Sequence, residues 1–320
     1  MSVRPLVRIG TRASRLALAQ AGQMQRRIAA ALGYGPDEAE QVAPLIHIST
    51  TGDRVQDRRL LEIGGKALFT KEIEEALLAG AVDCAIHSMK DVPVERQPGL
   101  VIGAIPARED PRDAYISPQH RRFADLPQGA RLGTASLRRQ AQALYRRPDL
   151  QPVLVRGNVD TRLAKLERGE ADAMILALAG LKRLGLDDVV SEILDPIDAP
   201  PAPGQGALAI ETRVELAGSA WLAALADRPA TLAVAAERGA LEALEGSCRT
   251  AVGAHARLEG ETLLLVVEAL TPDGRERFRR EARLTLGADA ETAARALGLD
   301  LGVQIRAEGG DRLELAQGAA

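Results

Sequence analysis

Aromatic residues are scarce in this sequence and make up only 2% of its 320 residues. The core must therefore be built from leucine, valine, isoleucine and alanine, since hydrophobic residues as a group reach 46%. Charged residues make up 27%, a proportion typical of folded globular proteins and not of disordered chains. A chain of this length exceeds one ordinary hydrophobic core and indicates two or three domains.

Cysteine is also scarce: Cys84 and Cys248 are too few for a disulfide framework. Arg4, Arg8 and Arg12 are not separated by a long apolar stretch, so a secretory signal is not predicted. Both observations favour a reducing cytoplasm. No apolar run reaches the length that a bilayer requires, and no membrane association is expected.

The formal net charge of -3 argues against bulk binding of nucleic acid. The sequence contains neither a Walker loop nor a G-x-G-x-x-G motif, so a nucleotide ligand is not predicted. No spacing of histidine, cysteine and aspartate is typical of a metal site, and no metal is expected.

Polar residues His87, Ser88, Lys90 and Asp91 follow at once on a short run whose apolar members are Ala81, Val82, Cys84, Ala85 and Ile86. This pattern predicts a buried strand with polar side chains at its C-terminal end, where ligands bind in open α/β sheets. Asp91 is therefore the first candidate for catalysis, and Lys90 would tune its charge or bind substrate. Position alone favours the alternative, in which Asp91 only hydrogen-bonds nearby backbone N–H groups in a turn. His87 is predicted to be a hydrogen-bonded, partly buried histidine and not a base.

Two short sequence echoes indicate an internal repeat. Residues 8–14 (RIGTRAS) are echoed by residues 131–136 (RLGTAS), and both lie between a predicted strand and a predicted helix. A second echo, G-x-x-D-x-x-I, occurs at 80–86 and at 169–175, at junctions from helix to strand. The echoes predict two α/β domains of similar build that face each other across a cleft.

The last third of the chain has a different pattern. The apolar run 207–210, which follows Gly204-Gln205-Gly206, is predicted to return to the first sheet. From about Arg228 a helix, three strand-like runs joined by hairpin signals and a final helix follow. They predict a small α+β domain with a three-stranded antiparallel sheet. The predicted domains are 1–106 with 201–227, then 107–200, and then 228–320.

Six arginines are predicted to lie just after strands or in the first turns of helices. They are Arg12, Arg138, Arg139, Arg156, Arg162 and Arg183. Helix N-termini attract anions through free N–H groups, and guanidinium groups add forked donors for carboxylates or phosphates. A small molecule bearing several carboxylates is the predicted ligand. The alternative for any one arginine is a surface ion pair, an explanation that is weaker for all six together.

Cys248 lies in a predicted loop of small residues at 245–249, just after a helix. Arg249 and an exposed backbone would favour its thiolate form. The alternative is an unreactive loop cysteine. Cys84 lies in an apolar strand and is predicted to belong to the core.

Taken together, these fragments resemble the porphobilinogen deaminase family, also called hydroxymethylbilane synthases. The resemblance covers nearly the whole chain in the family's order, with a looser match in the C-terminal hairpins. The stretches that carry it are Arg8–Gln20, Gly64–Glu72, His87–Val94, Gly133–Gln140, Arg156–Leu163, Leu178–Gly185, Pro203–Glu211 and Leu244–Cys248.

The resemblance implies three domains, two of them similar to the lobes of periplasmic binding proteins. It implies an enzyme that joins four porphobilinogen molecules head to tail, releases ammonia each time and yields the linear tetrapyrrole hydroxymethylbilane. It also implies a dipyrromethane cofactor that primes the chain and is held by a thioether to Cys248. A monomer is expected.

The resemblance also assigns roles to residues of this sequence. Asp91 matches the catalytic aspartate, and Cys248 matches the cofactor cysteine. The six arginines match residues that bind acetate and propionate groups of substrate, cofactor and growing chain. The residues that match neighbouring contacts are Ser14, Lys90, Ser136 and Gln205. The residues that match the family's active-site loop are Gly64, Gly65, Lys66 and Phe69. Lys66 also matches a ligand contact.

The sequence departs from the family pattern near the cysteine, because Ser247 precedes Cys248 and Ala251 stands where a proline is common. Arg15 also occupies a position where a proline is common. A different class of protein remains as the alternative: a two-lobed cytoplasmic binding or sensor protein for a polycarboxylate, without catalysis. That alternative explains the arginines and the repeat, but it gives no role to Asp91 or Cys248.

Overall fold

The computed structural model describes residues 6–51, 70–244 and 250–313. The chain divides into two compact units, here called the first and the second unit. The first unit comprises Met1–Glu109 and Ala207–Thr231, and the second comprises Asp110–Gly206 and Leu232–Ala320. The three domain boundaries expected from the sequence stay a prediction.

The described residues form strands and helices that alternate through most of the chain. The strands are β1 (Ile9–Thr11), β2 (Leu45–His47), β3 (Cys84–Ser88), β4 (Leu100–Ala104), β5 (Asp113–Ile116), β6 (Arg131–Gly133), β7 (Gln151–Val153), β8 (Ala173–Ala177), β9 (Glu192–Ile193), β10 (Leu208–Arg213), β11 (Ala251–Glu259), β12 (Thr262–Leu270) and β13 (Arg277–Thr285). The α-helices are α1 (Arg15–Ala31), α2 (Ala39–Val42), α3 (Lys71–Leu78), α4 (Leu137–Arg146), α5 (Val159–Glu167), α6 (Leu178–Leu184), α7 (Ala220–Ala223), α8 (Arg228–Ala243) and α9 (Ala290–Gly309).

The first unit is built on a five-stranded mixed sheet with the order β2-β1-β3-β10-β4. Strand β1 is parallel to β2 and β3, whereas β10 is antiparallel to both of its neighbours. The run after Gly206 thus returns to the first sheet, as the sequence predicted. The parallel strands end at one edge of the sheet, which is where ligand-binding side chains collect in this class of fold.

The second unit contains a sheet of the same plan, with the order β7-β6-β8-β5-β9. Strand β6 is parallel to β7 and β8, and β5 is antiparallel to β8 and β9. In both sheets the antiparallel strand occupies the fourth position. The prediction of two α/β sheets of similar build is confirmed.

In each unit the arginine that begins the first echo binds the aspartate of the second echo in the same way. In the first unit the Arg8 guanidinium Nη2 donates to Asp83 Oδ1 at 2.8 Å, and the Arg8 backbone N–H donates to Asp83 Oδ2 at 2.8 Å. In the second unit the Arg131 Nη2 donates to Asp172 Oδ1 at 2.8 Å, and its N–H donates to Asp172 Oδ2 at 2.7 Å. The aspartate therefore ties the start of β1 to the start of β3 in the first unit, and the start of β6 to the start of β8 in the second.

Both faces of each mixed sheet are covered by apolar side chains. In the first unit Met24 and Ile28 of α1 pack with Ile9 and Ile210 in one core cluster, and α3 covers a second cluster. In the second unit the neighbouring residues Tyr115 and Ile116 belong to different clusters, because successive side chains of β5 point to opposite faces. Burial on both faces explains why residues 84–86 of β3 and all of β8 are continuously apolar.

A separate antiparallel sheet, β11-β12-β13, lies in the second unit. Its β12–β13 hairpin closes where Gly274 N–H donates to Thr271 O at 2.8 Å, and Gly274 has a φ of 71° that glycine adopts readily. Helices α8 and α9 approach closely, since a Cβ on Gly298 would overlap the backbone of Ala236. The predicted C-terminal α+β arrangement with three antiparallel strands is confirmed.

The apolar pattern predicts a strand over residues 171–178, followed by Gly180, and indicates no helix directly after it, so helix α6 was not expected. In the structure β8 ends at Ala177 and a helix follows, with Gly185 as its C-cap in the left-handed conformation. The buried Leu178 and Leu181 hold this helix against the core. Tertiary packing here outweighs the weak helix propensity of an internal glycine.

Gly133 is expected to be sensitive to substitution, because a Cβ there would lie 2.9 Å from Val155 Cγ2 and 3.1 Å from Ala171 Cβ. We expect Gly133→Ala to reduce the free energy of unfolding by about 1–3 kcal/mol, the usual cost of overpacking. Urea unfolding followed by circular dichroism would measure it. The control is Gly218→Ala, since no heavy atom lies within 4 Å of that Cβ. Equal unfolding midpoints for the two variants would contradict this account.

Candidate anion-binding and catalytic site

Three helices begin immediately after strands of the parallel type, and each has a side-chain N-cap. Ser14 Oγ accepts from the N–H of Ala17 at 3.3 Å at the start of α1. Ser136 Oγ accepts from the N–H of Arg139 at 3.4 Å at the start of α4. Asn158 caps α5 in the same manner. Such N-termini present further free N–H groups to an anion.

Asp91 lies in the first unit, in a short 3-10 turn that follows β3 directly. The turn is anchored because Met89 N–H donates to Ala207 O at 3.0 Å and Val92 N–H donates to Met89 O at 3.1 Å. Met89 and Val92 are 1% and 2% exposed, whereas Asp91 is exposed and Lys90 is half-buried. The turn thus holds its backbone rigidly and presents the carboxylate to solvent.

The strand ends of the first unit bring several predicted site residues to one edge of its sheet. Arg12 and Ser14 follow β1, and Lys90 and Asp91 follow β3, its parallel neighbour. Gln20 joins helix α1 to the end of β3, because its Nε2 donates to Ser88 Oγ at 2.9 Å. A cationic edge that carries one exposed carboxylate is suited to an anionic substrate that must also give up or accept a proton.

His87 is buried, and its Nε2 lies 3.0 Å from Glu211 Oε2. The other oxygen of Glu211 accepts from Arg96 Nη2 at 2.6 Å. Burial opposes ionisation of Glu211, but the hydrogen bonds and charges of His87 and Arg96 outweigh it and lower its pKa. The prediction that His87 is a hydrogen-bonded structural histidine is confirmed, whereas its partner Glu211 was not foreseen.

In the second unit Arg138 and Arg139 both bind one buried carboxylate, that of Asp113. Arg138 Nη1 donates to Asp113 Oδ2 at 2.7 Å, and Arg139 Nη2 donates to Asp113 Oδ1 at 2.8 Å. All three residues are at most 6% exposed. Burial raises the pKa of Asp113, but the two guanidinium groups prevail and hold the pKa far below its usual range.

Gln205 completes this buried cluster. Its Nε2 donates to Asp113 Oδ1 at 2.8 Å and to the backbone O of Pro111 at 2.7 Å, and its Oε1 accepts from Arg139 Nη2 at 3.3 Å. The loop that carries it is held by Glu237, whose carboxylate accepts from the N–H of Gly204 at 2.7 Å. The structure therefore gathers Arg138, Arg139 and Gln205, three predicted ligand residues, around a carboxylate of the protein itself.

Asp113, which binds three of the predicted site residues, was not predicted from the sequence. It opens the apolar strand β5, and an acidic residue at the head of a buried run is the one signal that points to it. Two guanidinium groups facing one carboxylate leave a net positive charge next to the N-terminus of α4. That excess charge adds to the electrostatic attraction of the helix end for an anion.

The remaining three arginines lie at separate places in the second unit. Arg162 Nε donates to Gly157 O at 2.8 Å, in the turn that begins α5. Arg183 Nη2 donates to Gly206 O at 2.7 Å. Arg183 lies in the last turn of α6 and not at a helix start, which corrects the position predicted for it. The correction follows from the unforeseen helix after β8.

Arg156 directly precedes Gly157 and the N-cap Asn158. Its Nη1 is buried and has no hydrogen-bond partner within the described part of the chain. The Nε of Arg138 is likewise buried without a partner there. Buried guanidinium donors without an acceptor are costly, so both are donors that a ligand carboxylate would satisfy.

Five predicted site residues fall on segments outside the described residues: Gly64, Gly65, Lys66, Phe69 and Cys248. The other cysteine of the chain, Cys84, is fully buried in β3, and burial raises the pKa of its thiol. An unreactive core role for Cys84 is therefore confirmed.

Residues 6–51, 70–244 and 250–313 hold no cluster of three or more His, Cys, Asp or Glu side chains arranged for a metal ion. Within those same ranges no helix is both long and apolar enough to cross a bilayer.

These features define an α/β protein with two mixed sheets of the same plan, whose strand ends carry capped helices and cationic side chains. The family model "Porphobilinogen deaminase, dipyromethane cofactor binding domain" matches residues 7–218, and "Porphobilinogen deaminase, C-terminal domain" matches residues 231–307. The chain belongs to the porphobilinogen deaminase family.

Curated relatives are similar over their full length. A porphobilinogen deaminase of Caulobacter sp. (strain K31) is 66% identical over 99% of this chain and 100% of its own. The porphobilinogen deaminase of Phenylobacterium zucineum (strain HLK1) is 64% identical over 98% of this chain and 100% of its own.

Among solved structures, similar chains include periplasmic binding proteins. A nutrient-binding protein from Burkholderia cenocepacia bound to methionine is 14% identical, with a TM-score of 0.42, over 68% of this chain and 89% of its own. A periplasmic substrate-binding protein of an ABC transporter from Coxiella burnetii is 16% identical, with a TM-score of 0.40, over 68% and 89%. The family assignment rests on the sequence comparisons and not on these structures.

Asp113→Asn tests the buried ion pairs. We expect the variant to lose about 3 kcal/mol of unfolding free energy at pH 7, since breaking a buried pair leaves charge uncompensated. Because the folded pKa of Asp113 is depressed, its contribution is present above the unfolded pKa of about 3.9 and is lost as the pH falls below it. The wild-type advantage should therefore stay constant from about pH 5 to 8 and shrink in stronger acid.

Urea titrations at several pH values would measure this difference. Asp188→Asn is the control, because Asp188 is exposed in the same unit and its loss should change stability by less than about 0.5 kcal/mol. A stability gap between wild type and Asp113→Asn that grows in acid would contradict the assignment.

Proposed function

We propose that this protein is a hydroxymethylbilane synthase. It joins four porphobilinogen molecules head to tail, releases one ammonia for each, and with the addition of one water yields the linear tetrapyrrole hydroxymethylbilane for porphyrin biosynthesis. The observation that carries the proposal is family membership over nearly the whole chain. The helix N-termini and arginine donors support it, because porphobilinogen and its products carry acetate and propionate groups.

The residues present fit a dipyrromethane cofactor, whose carboxylates require buried cationic donors. Arg156 Nη1 and Arg138 Nε are such donors and lack partners among the described residues. When bound through a thioether to Cys248, the cofactor supplies the pyrrole end to which the first substrate is joined. The residues proposed to hold it and the growing chain are Ser136, Arg138, Arg139, Arg156, Arg162, Arg183 and Gln205.

Asp91 is the proposed catalytic residue. Loss of ammonia from porphobilinogen leaves an electrophilic azafulvene cation, and a carboxylate close to the pyrrole N–H stabilises that charge and assists proton transfer. The anchored 3-10 turn supports this role, because it holds the backbone of Asp91 still while leaving the side chain exposed. A preorganised carboxylate stabilises the cation without a reorganisation cost in each cycle.

Arg12, Ser14 and Lys90 are proposed to bind substrate carboxylates at the same sheet edge. Lys66 and Phe69, with Gly64 and Gly65, are proposed to form an active-site loop that excludes water from the cation. We further propose three domains with the boundaries predicted from the sequence. The protein is proposed to act as a cytoplasmic monomer that binds no nucleic acid.

A non-catalytic binding protein for a polycarboxylate is not favoured. It would use the arginines, but it would leave the anchored Asp91 turn without a purpose. The family to which the chain belongs is defined by a deaminase and not by a transport or sensor activity.

Asp91→Asn is expected to fold normally, since the side chain is exposed, and to bind porphobilinogen. We expect kcat to fall by about 100- to 10,000-fold, the usual contribution of a positioned acid–base group. Steady-state formation of hydroxymethylbilane would measure it. Glu95→Gln, an exposed carboxylate four residues further on, is the control. Retention of more than about a tenth of the wild-type kcat by Asp91→Asn would remove Asp91 from the catalytic role.

Cys248→Ser is expected to fold but to carry no cofactor. Intact-mass measurement under denaturing conditions should give the bare mass for this variant and an excess of two linked pyrroles for the wild type. Cys84→Ala should keep the excess, because that thiol is buried in the core. A pyrrole adduct on Cys248→Ser would show that another residue carries the cofactor.

A further inference from the structure

A buried carboxylate on the three-stranded sheet has no role in the chemistry described so far. Glu268 lies on β12 and is 1% exposed. Its Oε1 accepts from Gln142 Nε2 at 2.8 Å, and its Oε2 has no hydrogen-bond partner among the described residues. Arg277 and Arg279 approach Oε2 only to 3.9 and 3.8 Å. A buried carboxylate placed in this way is weak evidence for stability and calls for another explanation.

The partners of Gln142 fix the orientation of its amide. Its Nε2 donates to the carboxylate of Glu268 and to the backbone O of Pro200, each at 2.8 Å. Both partners are acceptors, so the amide nitrogen must face them and the amide oxygen must face the other way. That oxygen accepts from Arg138 Nη1 at 2.8 Å.

Asp113 and Gln142 both accept a hydrogen bond from the same guanidinium nitrogen of Arg138. Its Nη1 donates to Asp113 Oδ2 at 2.7 Å and to Gln142 Oε1 at 2.8 Å, with Pro200 O at 3.1 Å. Arg138 directly follows the first residue of α4, next to the N-cap Ser136. An unbroken series of hydrogen bonds therefore runs from Glu268 through Gln142 to Arg138 and Asp113.

The sheet and helix α4 are close enough for this series to be rigid. A Cβ on Gly274 would lie 2.5 Å from the backbone O of Ala141, and a Cβ on Gly253 would lie 2.6 Å from Pro200 O. Only glycine permits such approaches without a shift of backbone. The two glycines seat the sheet directly against the segments that carry Gln142 and Pro200.

We propose that Glu268 and Gln142 are positioning residues for the anion-binding N-terminus of α4. Glu268 fixes the amide of Gln142, and this amide sets the orientation of the Arg138 guanidinium, so the three-stranded sheet controls how tightly α4 holds a ligand carboxylate. The inference rests on the proposed function, in which Arg138 and its neighbours bind carboxylates of substrate and chain. It adds two residues outside the binding surface.

Glu268→Leu in the holoenzyme tests this proposal, because leucine removes the acceptor and keeps similar volume. We expect KM for porphobilinogen to rise about fivefold, which corresponds to the net worth of one hydrogen bond. We expect kcat to stay within twofold, since Asp91 is untouched. Glu268→Gln keeps an acceptor oxygen for Gln142 and should restore a KM close to that of the wild type.

A second readout does not depend on activity. Hydrogen–deuterium exchange of the peptide that spans Leu137–Arg146 should be faster in Glu268→Leu and normal in Glu268→Gln. Val267→Ala is the matched control: Val267 is buried on the same strand but points to the opposite face. It should lower thermal stability without changing KM or exchange in α4.

A double-mutant cycle that combines Glu268→Leu with Gln142→Leu completes the test. If the two residues act in series, the double variant should show the KM of the worse single variant and not the product of both effects. Additive effects, or an unchanged KM in Glu268→Leu, would overturn the proposal. Failure of the proposed function would give a different result. The wild type would then form no hydroxymethylbilane, and no KM could be measured for any variant.

Discussion

The second unit depends on one electrostatic interaction, the binding of two guanidinium groups by the buried carboxylate of Asp113. Removing three charges from water is costly, and the geometry offsets this cost only because nearly every contact is a short, charge-assisted hydrogen bond. The cluster ties strand β5 to the first turn of α4 and, through Gln205, to the loop before β10. The N-terminus of α4 is thus fixed by a carboxylate that the protein itself supplies.

The two mixed sheets share a plan, but their strand ends carry different chemistry. In each, an Arg–Asp pair joins the first and third parallel strands at their beginnings, which leaves the opposite edge free to vary. In the first unit that edge includes the exposed carboxylate of Asp91 on an anchored turn. In the second it presents capped helices and guanidinium donors. The same sheet plan therefore carries different side chains at its strand ends in the two units.

Sequence periodicity and the two echoes predicted two α/β sheets of similar build, the return of β10 and the C-terminal hairpins, because these follow from local apolar patterns and turn residues. Helix α6 escaped prediction, since buried leucines and not local propensity stabilise it. Five of the six candidate arginines could be found from their positions after strands or in first helical turns, but their partners could not. Asp113, Glu211 and Glu268 lie between 25 and 126 residues from the groups they bind, and no local pattern reports such pairs.

The turn that carries Asp91 has a consequence for biosynthesis of the chain. Met89 is fixed by Ala207, and His87 by Glu211, which lies 124 residues later. The ribosome must therefore release the whole of the second mixed sheet before the strand that completes the first one exists. Contacts of such long sequence separation form slowly. The turn that carries Asp91 is consequently among the last features of the first unit to become ordered as the nascent chain folds, because the whole inserted segment 110–206 must be synthesised first.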